Sequence, residues 1–331
     1  MSNVIPMGRT FSHTIYRVLE SRPDSYHDWL DQGHGLRDEE RYQEALIGYN
    51  RALEYKPNDY WAWYWRGDVL DALGYLEEAL DSYDKALKEY PTDYWAWCHR
   101  ARVLRELERY EDAIASYDKA LESRPQDYWA WYNRGRVALE DLDLYEDAIA
   151  SFDKAIEVRS DDYWSWYRKG DALRHLQRYQ DAIASYDRAI ETEAKDYWAW
   201  YRRGDCLRYL GRLEEALTNY DRALIVKPSD RWSWYKRGEI LRRLGRYEEA
   251  ITSYDEAILS NPDDEYAWYN KACCYALLGN IDSGMPLAGV SVASRREAIA
   301  SLQEAIRLNP IEFQDFAKTD PDLANLRGFE F

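Results

Sequence analysis

The stretch Asp59-Tyr-Trp-Ala-Trp-Tyr-Trp-Arg-Gly67 returns in close copies from Asp93, Asp127, Asp162, Asp196 and Asp230, and in a weaker copy from Asp264. The step is 34 residues each time, except for 35 between Asp127 and Asp162. A fixed period of this size narrows the fold sharply. It is long enough for two helices and a turn, and a two-helix unit buries its apolar face only by stacking on copies of itself. The repeat covers roughly residues 25–310 of the 331, so a single elongated array fits better than two or three separate domains.

Within one period the local chemistry spells helix, turn, helix. Asp59 follows Pro57 and precedes an aromatic run, as an N-cap does. The first helix should run to about Leu73, where Gly74 closes it, and the second from about Glu77 to Glu89, before Pro91. In the second helix Ala79, Tyr83, Ala86 and Leu87 share one face and predict core. The same set recurs as Ala113, Tyr117, Ala120 and Leu121, and as Ala182, Tyr186, Ala189 and Ile190. Asp, Glu, Lys and Ser fill the other side, so Asp187 and Asp221 are expected to face solvent and to tolerate charge reversal. In the first helix Gly67 is expected to sit against Ala79 of its paired helix. Gly33, Gly135, Gly170, Gly204 and Gly238 repeat it, with Ala101 and Ala272 as substitutes, despite the roughly 1 kcal/mol that glycine costs inside a helix.

These residues resemble the tetratricopeptide repeat family, whose pattern of Trp, Gly, Ala, aromatic, Ala and Pro is carried here by Trp63, Gly67, Ala79, Tyr83, Ala86 and Pro91. Ser160 and Ala194 replace the closing Pro. Where the family usually has Leu, this chain has Arg66, Arg100, Arg134, Lys169, Arg203, Arg237 and Lys271, a departure similar to that of long repeat arrays in cyanobacterial proteins. Such an Arg is expected to lay its stem on the helix interface and hold its head in water, over a Tyr ring. The resemblance implies an all-α, right-handed superhelical solenoid of about eight two-helix repeats over residues 25–310. Residues 1–24 read as an N-terminal capping half-repeat, because Pro23 falls one period before Pro57, and residues 311–331 read as a C-terminal cap. The last repeat carries 14 more residues than its siblings, an insert at about 280–294 expected to form a surface loop.

Several functions are disfavoured. Lys plus Arg number 44 against 61 Asp plus Glu, and the net charge of −17 works against nonspecific attraction to nucleic acid or anionic membrane. No apolar run reaches the roughly 20 residues that span a bilayer, and residues 1–11 lack the features of a secretory signal, so the expected location is cytoplasmic. Cys98, Cys206, Cys273 and Cys274 show no CxxC spacing, and the five histidines are scattered; neither a disulfide, a metal site nor a cofactor is expected. No HExxH, phosphate-binding loop or nucleophile elbow is present, which argues against an enzyme.

The remaining signal is a second face of the first helices. Trp164, Tyr167, Asp171 and Arg174 align at helical spacing, away from Trp166, Gly170 and Leu173. The resemblance implies that this face lines a concave groove for a partner segment. Its candidate residues are Trp129, Tyr132, Trp164, Tyr167, Arg168, Arg174, Trp198, Tyr201, Arg202, Arg208, Trp232, Tyr235, Lys236 and Arg242. Basic residues thicken along the chain, so the expected partner is a protein segment with acidic or aromatic residues, held by a scaffold, adaptor or assembly factor. Three alternatives stay open. The Trp column could pack on the preceding repeat, stack single-stranded RNA, or cage a small molecule or cation. The family's carboxylate clamp is disfavoured, because Tyr167, Tyr201 and Tyr235 stand where it needs Lys, and Asp171, Asp205 and Glu239 where it needs Asn.

Overall fold

The computed structural model describes residues 25–282 and 290–326, and all regular elements among them are helical. The chain divides into two compact units, Met1–Ser160 and Asp161–Phe331. In the first, helix pairs follow one another as α1 (Tyr26–Asp38) with α2 (Tyr42–Tyr55), α3 (Tyr60–Ala72) with α4 (Leu76–Glu89), α5 (Tyr94–Glu106) with α6 (Tyr110–Ser123), and α7 (Tyr128–Glu140) with α8 (Tyr145–Val158). In the second, α9 (Tyr163–His175) pairs with α10 (Tyr179–Thr192), α11 (Tyr197–Tyr209) with α12 (Leu213–Val226), α13 (Arg231–Arg243) with α14 (Tyr247–Ser260), and α15 (Glu265–Asp282) with α16 (Val290–Leu308). Helix α17 (Pro310–Thr319) and a 3-10 turn (Pro321–Leu326) follow. The segment 1–24 lies outside the described residues. The expected surface loop is shorter than its insert, since α15 continues to Asp282 and α16 begins at Val290; residues 283–289 are outside the description.

The repeated Asp caps each first helix as its sequence requires. Asp59, for example, accepts from the Ala62 amide at 2.9 Å and Asp162 from the Ser165 amide at 2.7 Å. The Trp three residues into the helix staples the preceding turn: Trp63 Nε1 donates to the Pro57 carbonyl at 2.7 Å and Trp234 Nε1 to that of Pro228 at 2.8 Å. At the turn inside each pair one residue must be left-handed. Gly74, Gly211 and Gly245 take φ of 75–80°, and Glu40, Glu108, Asp143 and Gln177 take φ of 55–59° at the glycine-free turns. Glu108→Gly should therefore raise the stability read from urea denaturation and Gly211→Ala lower it, each by about 0.5–1 kcal/mol. Shifts of the same sign would show that this backbone angle does not decide turn stability.

The second-helix face is core as expected: Ala79, Tyr83 and Ala86 are fully buried, as are Ala182, Tyr186 and Ala189. The partner of the glycines differs from the expectation. A Cβ on Gly67 would lie 2.9 Å from Tyr83 Cε1, and one on Gly170 would lie 2.7 Å from Tyr186 Cε1. The glycine thus makes room for the second-helix aromatic ring, not for the alanine, because a ring reaches across the interhelical gap and a methyl does not. Ala272 stands opposite a core that has Leu302 in place of the ring.

The systematic Arg is not dissolved in water. Arg100 donates through Nε to Asp84 of the preceding second helix at 2.6 Å and through Nη1 to Ser116 of its own second helix at 2.6 Å. Arg203 reaches Asp187 (2.6 Å) and Asn219 (3.1 Å), Arg237 reaches Asp221 and Ser253 (both 2.7 Å), and Lys271 reaches Asp255 (2.6 Å). The ring beneath is Trp, not Tyr: Arg100 lies 5.5 Å from the Trp97 centroid and Lys271 5.0 Å from that of Trp268. Arg100, Arg203 and Arg237 therefore each tie two consecutive second helices together. This overturns the expectation that Asp187 and Asp221 are idle. Asp187→Lys with Asp221→Lys should lower stability by about 1–2 kcal/mol in total, modest because the carboxylates are half exposed. A denaturation curve superimposed on that of the wild type would show that the bridges contribute nothing.

Candidate partner-binding surface

The second residue of each first helix points away from the pair, and it is Trp in six repeats. In the first unit these are Trp61, Trp95 and Trp129; in the second, Trp164, Trp198 and Trp232. All are 38–54 % exposed. These side chains are about half exposed, Trp129 with its ring also 6.1 Å from Tyr117 of the preceding repeat, and at one position per repeat along a helix face they form a row within each unit. The Tyr three residues later is different. Tyr167 and Tyr201 are buried, and their rings stand 5.8 Å from those of Tyr186 and Tyr220; Tyr132 and Tyr235 stand 6.0 and 5.9 Å from Phe152 and Tyr254. Burial pushes the Tyr167 and Tyr235 hydroxyls up to about 12, so both stay protonated at neutral pH, and Tyr235 accepts from Asn270 Nδ2 at 3.0 Å. The Trp rings rest edge-on against them, Trp164 on Tyr167 at 6.1 Å and Trp198 on Tyr201 at 6.0 Å. The Tyr side chains are the floor of this face and the Trp side chains its raised edge.

The basic residues of the second unit alternate with carboxylates. Asp171 sits within 3.6–3.9 Å of Arg168, Arg174 and Arg202 and accepts from the Tyr186 hydroxyl at 2.9 Å. Arg208 lies 3.8 Å from Asp205 and 3.5 Å from Glu239, which also binds Lys236 at 2.9 Å. Arg202 spreads over Trp198 and Tyr201 at 5.8 and 5.9 Å. Helix α15 has Cys273 where α13 has Glu239, and Arg242 binds Asp322 of the 3-10 turn at 2.5 Å instead. Asp320 likewise accepts from the Tyr269 hydroxyl. Leu323 and Leu326 of the same turn are fully buried beside Tyr269, Cys273 and Phe313. The cations are thus aimed and held by fixed counter-ions, a pre-ordered polar column more than an open positive field.

In the first unit Trp129 and Tyr132 lie on α7, and the surroundings of Trp129 include residues outside the candidate set. Arg102, Arg105 and Arg136 line a cleft of about 320 Å³ together with Tyr110, Tyr117, Trp129, Asn133, Glu106 and Asp141. The signal is present in the repeat columns. Arg102 and Arg136 occupy the place of Asp68, Asp171, Asp205 and Glu239 in the sibling repeats, and Cys98 occupies that of Tyr64 and Tyr132.

No helix among the described residues is long and apolar enough to cross a membrane. The thiols of Cys98, Cys206 and Cys274 are pushed by burial to about 12, far from reactive thiolate.

Family models described as tetratricopeptide repeat match residues 30–94, 99–163, 138–197, 167–233, 201–265 and 235–288, and a second such model matches 82–115. Among solved structures, the chain is similar to YrrB, described as a tetratricopeptide repeat protein with an unusual peptide-binding site. The two are 28% identical, the match covers 58% of this chain and 98% of that one, and the TM-score is 0.51. It is also similar to a tetratricopeptide repeat protein of Parabacteroides merdae (21% identity, 75% and 98% covered, TM-score 0.52). A third is the C-terminal part of a repeat protein of Cytophaga hutchinsonii (15% identity, 73% and 98% covered, TM-score 0.64). No curated protein matches.

Proposed function

The chain belongs to the tetratricopeptide repeat family, an all-α repeat solenoid built for protein interaction, and from that premise we propose that it holds a segment of a partner protein along its first-helix face. It acts as a non-catalytic scaffold or adaptor. The observation that carries this reading is the row of half-exposed Trp in each unit, one per repeat at the same helical position, with the Arg202 guanidinium 5.8 Å from the Trp198 ring centroid. Trp, Tyr and Arg dominate binding hot spots because they combine large contact area with directed polarity. The partner segment carries acidic and aromatic residues: its carboxylates exchange with Asp171, Asp205 and Glu239 for the arginines, and its rings pack between the tryptophans. The likeness to YrrB, described by its peptide-binding site, supports a peptide over other ligands. Within the expected C-terminal cap of residues 311–331, the described part, up to residue 326, covers the last repeat through Phe313, Leu323 and Leu326, and residues 327–331 lie outside the description.

The test is cross-linking capture on the tagged full chain, run beside a Trp198→Ala, Trp232→Ala variant and with nuclease treatment. The expected result is a set of proteins that resists nuclease and is lost in the variant. Loss of every captured protein on nuclease treatment would transfer the Trp row to single-stranded RNA.

A further inference from the structure

The cleft in the first unit arises from two departures in adjacent repeats. In α3, α7, α9, α11 and α13 a Tyr ring stands 5.8–6.0 Å from the second-helix aromatic. Helix α5 has Cys98 at that place, and Tyr117 of α6 is met instead by Trp129 from α7, at 6.1 Å and 70°. Trp129 thereby closes one wall of the cleft while 41% of it remains exposed. The second departure supplies charge. Arg102 and Arg136 face the cleft where the siblings of the second unit carry Asp or Glu. Arg102 is held by Asp71, itself buried. Arg105 is held by Asp141 at 2.5 Å and Glu140 at 2.6 Å. Arg136 pairs with Glu140 at 3.1 Å and its side chain is about one-third exposed, while its Nε, like those of Arg174, Arg202, Arg208 and Arg242, is buried without an acceptor among the described residues.

A partly exposed guanidinium standing where the sibling repeats carry a carboxylate, beside an exposed indole face, is complementary to a planar anion next to a ring. We propose that this cleft is the pocket that selects the partner segment, taking an aromatic side chain against Trp129 and a neighbouring Asp or Glu carboxylate on Arg136 and Arg102. The proposal rests on the peptide-scaffold reading and makes the first unit the place where specificity is set. Its volume, about 320 Å³, admits a ring and a short acid and little more.

The test follows the indole N–H resonances of the full-length 15N-labelled protein, with that of Trp129 assigned through Trp129→Phe. The probe is the synthetic peptide Gly-Glu-Phe-Asp-Gly, capped at both ends. The expected result is that it shifts the Trp129 resonance, and that affinity falls about tenfold or more both in Arg136→Gln and when the peptide acids become amides. The amide peptides need no change in the protein, so they decide the matter even if Arg136→Gln perturbs folding. If only Trp164, Trp198 and Trp232 respond, the scaffold reading stands and this pocket is wrong; if no indole responds, both fall. A phosphoserine peptide that binds about tenfold tighter than the Glu peptide would overturn the carboxylate assignment.

Discussion

Gly170→Leu is expected to lower the stability of the second unit by about 3 kcal/mol or more, through overpacking. A first Cβ alone would stand 2.7 Å from Tyr186 Cε1 and 2.9 Å from Cδ1 and Cζ. The ring has no way out, since Tyr186 is fully buried and its hydroxyl donates to buried Asp171 at 2.9 Å. Helices α9 and α10 must therefore separate along their length, and the rest of the leucine adds to the demand. Gly204 offers a graded control, because its Cβ would meet Tyr220 at 3.0–3.3 Å, a distance that small shifts relieve. Gly204→Ala should come out close to neutral once the helix propensity gained, about 1 kcal/mol, is set against it, and Gly170→Ala should remain destabilising. Urea denaturation read together with hydrogen exchange over α9 and α10 distinguishes these outcomes. A Gly170→Leu protein as stable as the wild type would mean that the interhelical distance is not set by this contact.

Trp198→Ala with Trp232→Ala should abolish partner capture while leaving helical content and melting temperature nearly unchanged. Both rings are well exposed, so folding loses little when they go, whereas an anchor at an interface is worth on the order of 2 kcal/mol, about thirtyfold in affinity for each. The charge reversals Arg208→Glu and Arg242→Glu are a different experiment. Arg208 is bound to Asp205 and Glu239, and Arg242 to Asp322, so reversal places like charges within about 4 Å and loosens the repeat as well as the surface. Only the Trp pair separates binding from stability. The control belongs on an exposed ion pair of the second-helix side, such as Lys154→Ala with Glu157→Ala, where both partners are half exposed or more. Capture lost through the control pair and kept in the Trp variant would move the ligand to the outer face.

Much of this is legible in the sequence, because the period, the Asp caps, the closing turns and the alanine face each depend on residues a few positions apart. What is not legible depends on which residues approach from a distance. That Arg100 reaches Asp84 and Ser116, 16 residues away on either side, follows only once three helices are stacked. Spacing alone assigns the Gly67 contact to the nearer alanine, because reach across a helix gap is not written in it. Spacing likewise makes Asp171 a neighbour of Arg174 and gives no sign that it is the shared counter-ion of three cations. The Arg102 and Arg136 cleft is available in principle. Each repeat column, read for its exceptions and not for its consensus, exposes both the charge swap and the loss of an aromatic ring at Cys98.

The bonds that join one repeat to the next within a unit recur at nearly constant separations. Arg203 and Arg237 each reach back 16 residues to Asp187 and Asp221, and Tyr94 reaches forward 33 to Asp127. Copy number is therefore a nearly free variable for such a gene. Unequal recombination that inserts or removes one whole period returns these Arg and Tyr donors to equivalent acceptors, whereas a fractional insertion within a helix strands a whole row of them. The last described repeat lacks this translational freedom. Asp320 and Asp322 complete Tyr269 and Arg242 from outside the period, so these two bonds are not regenerated by copying a repeat.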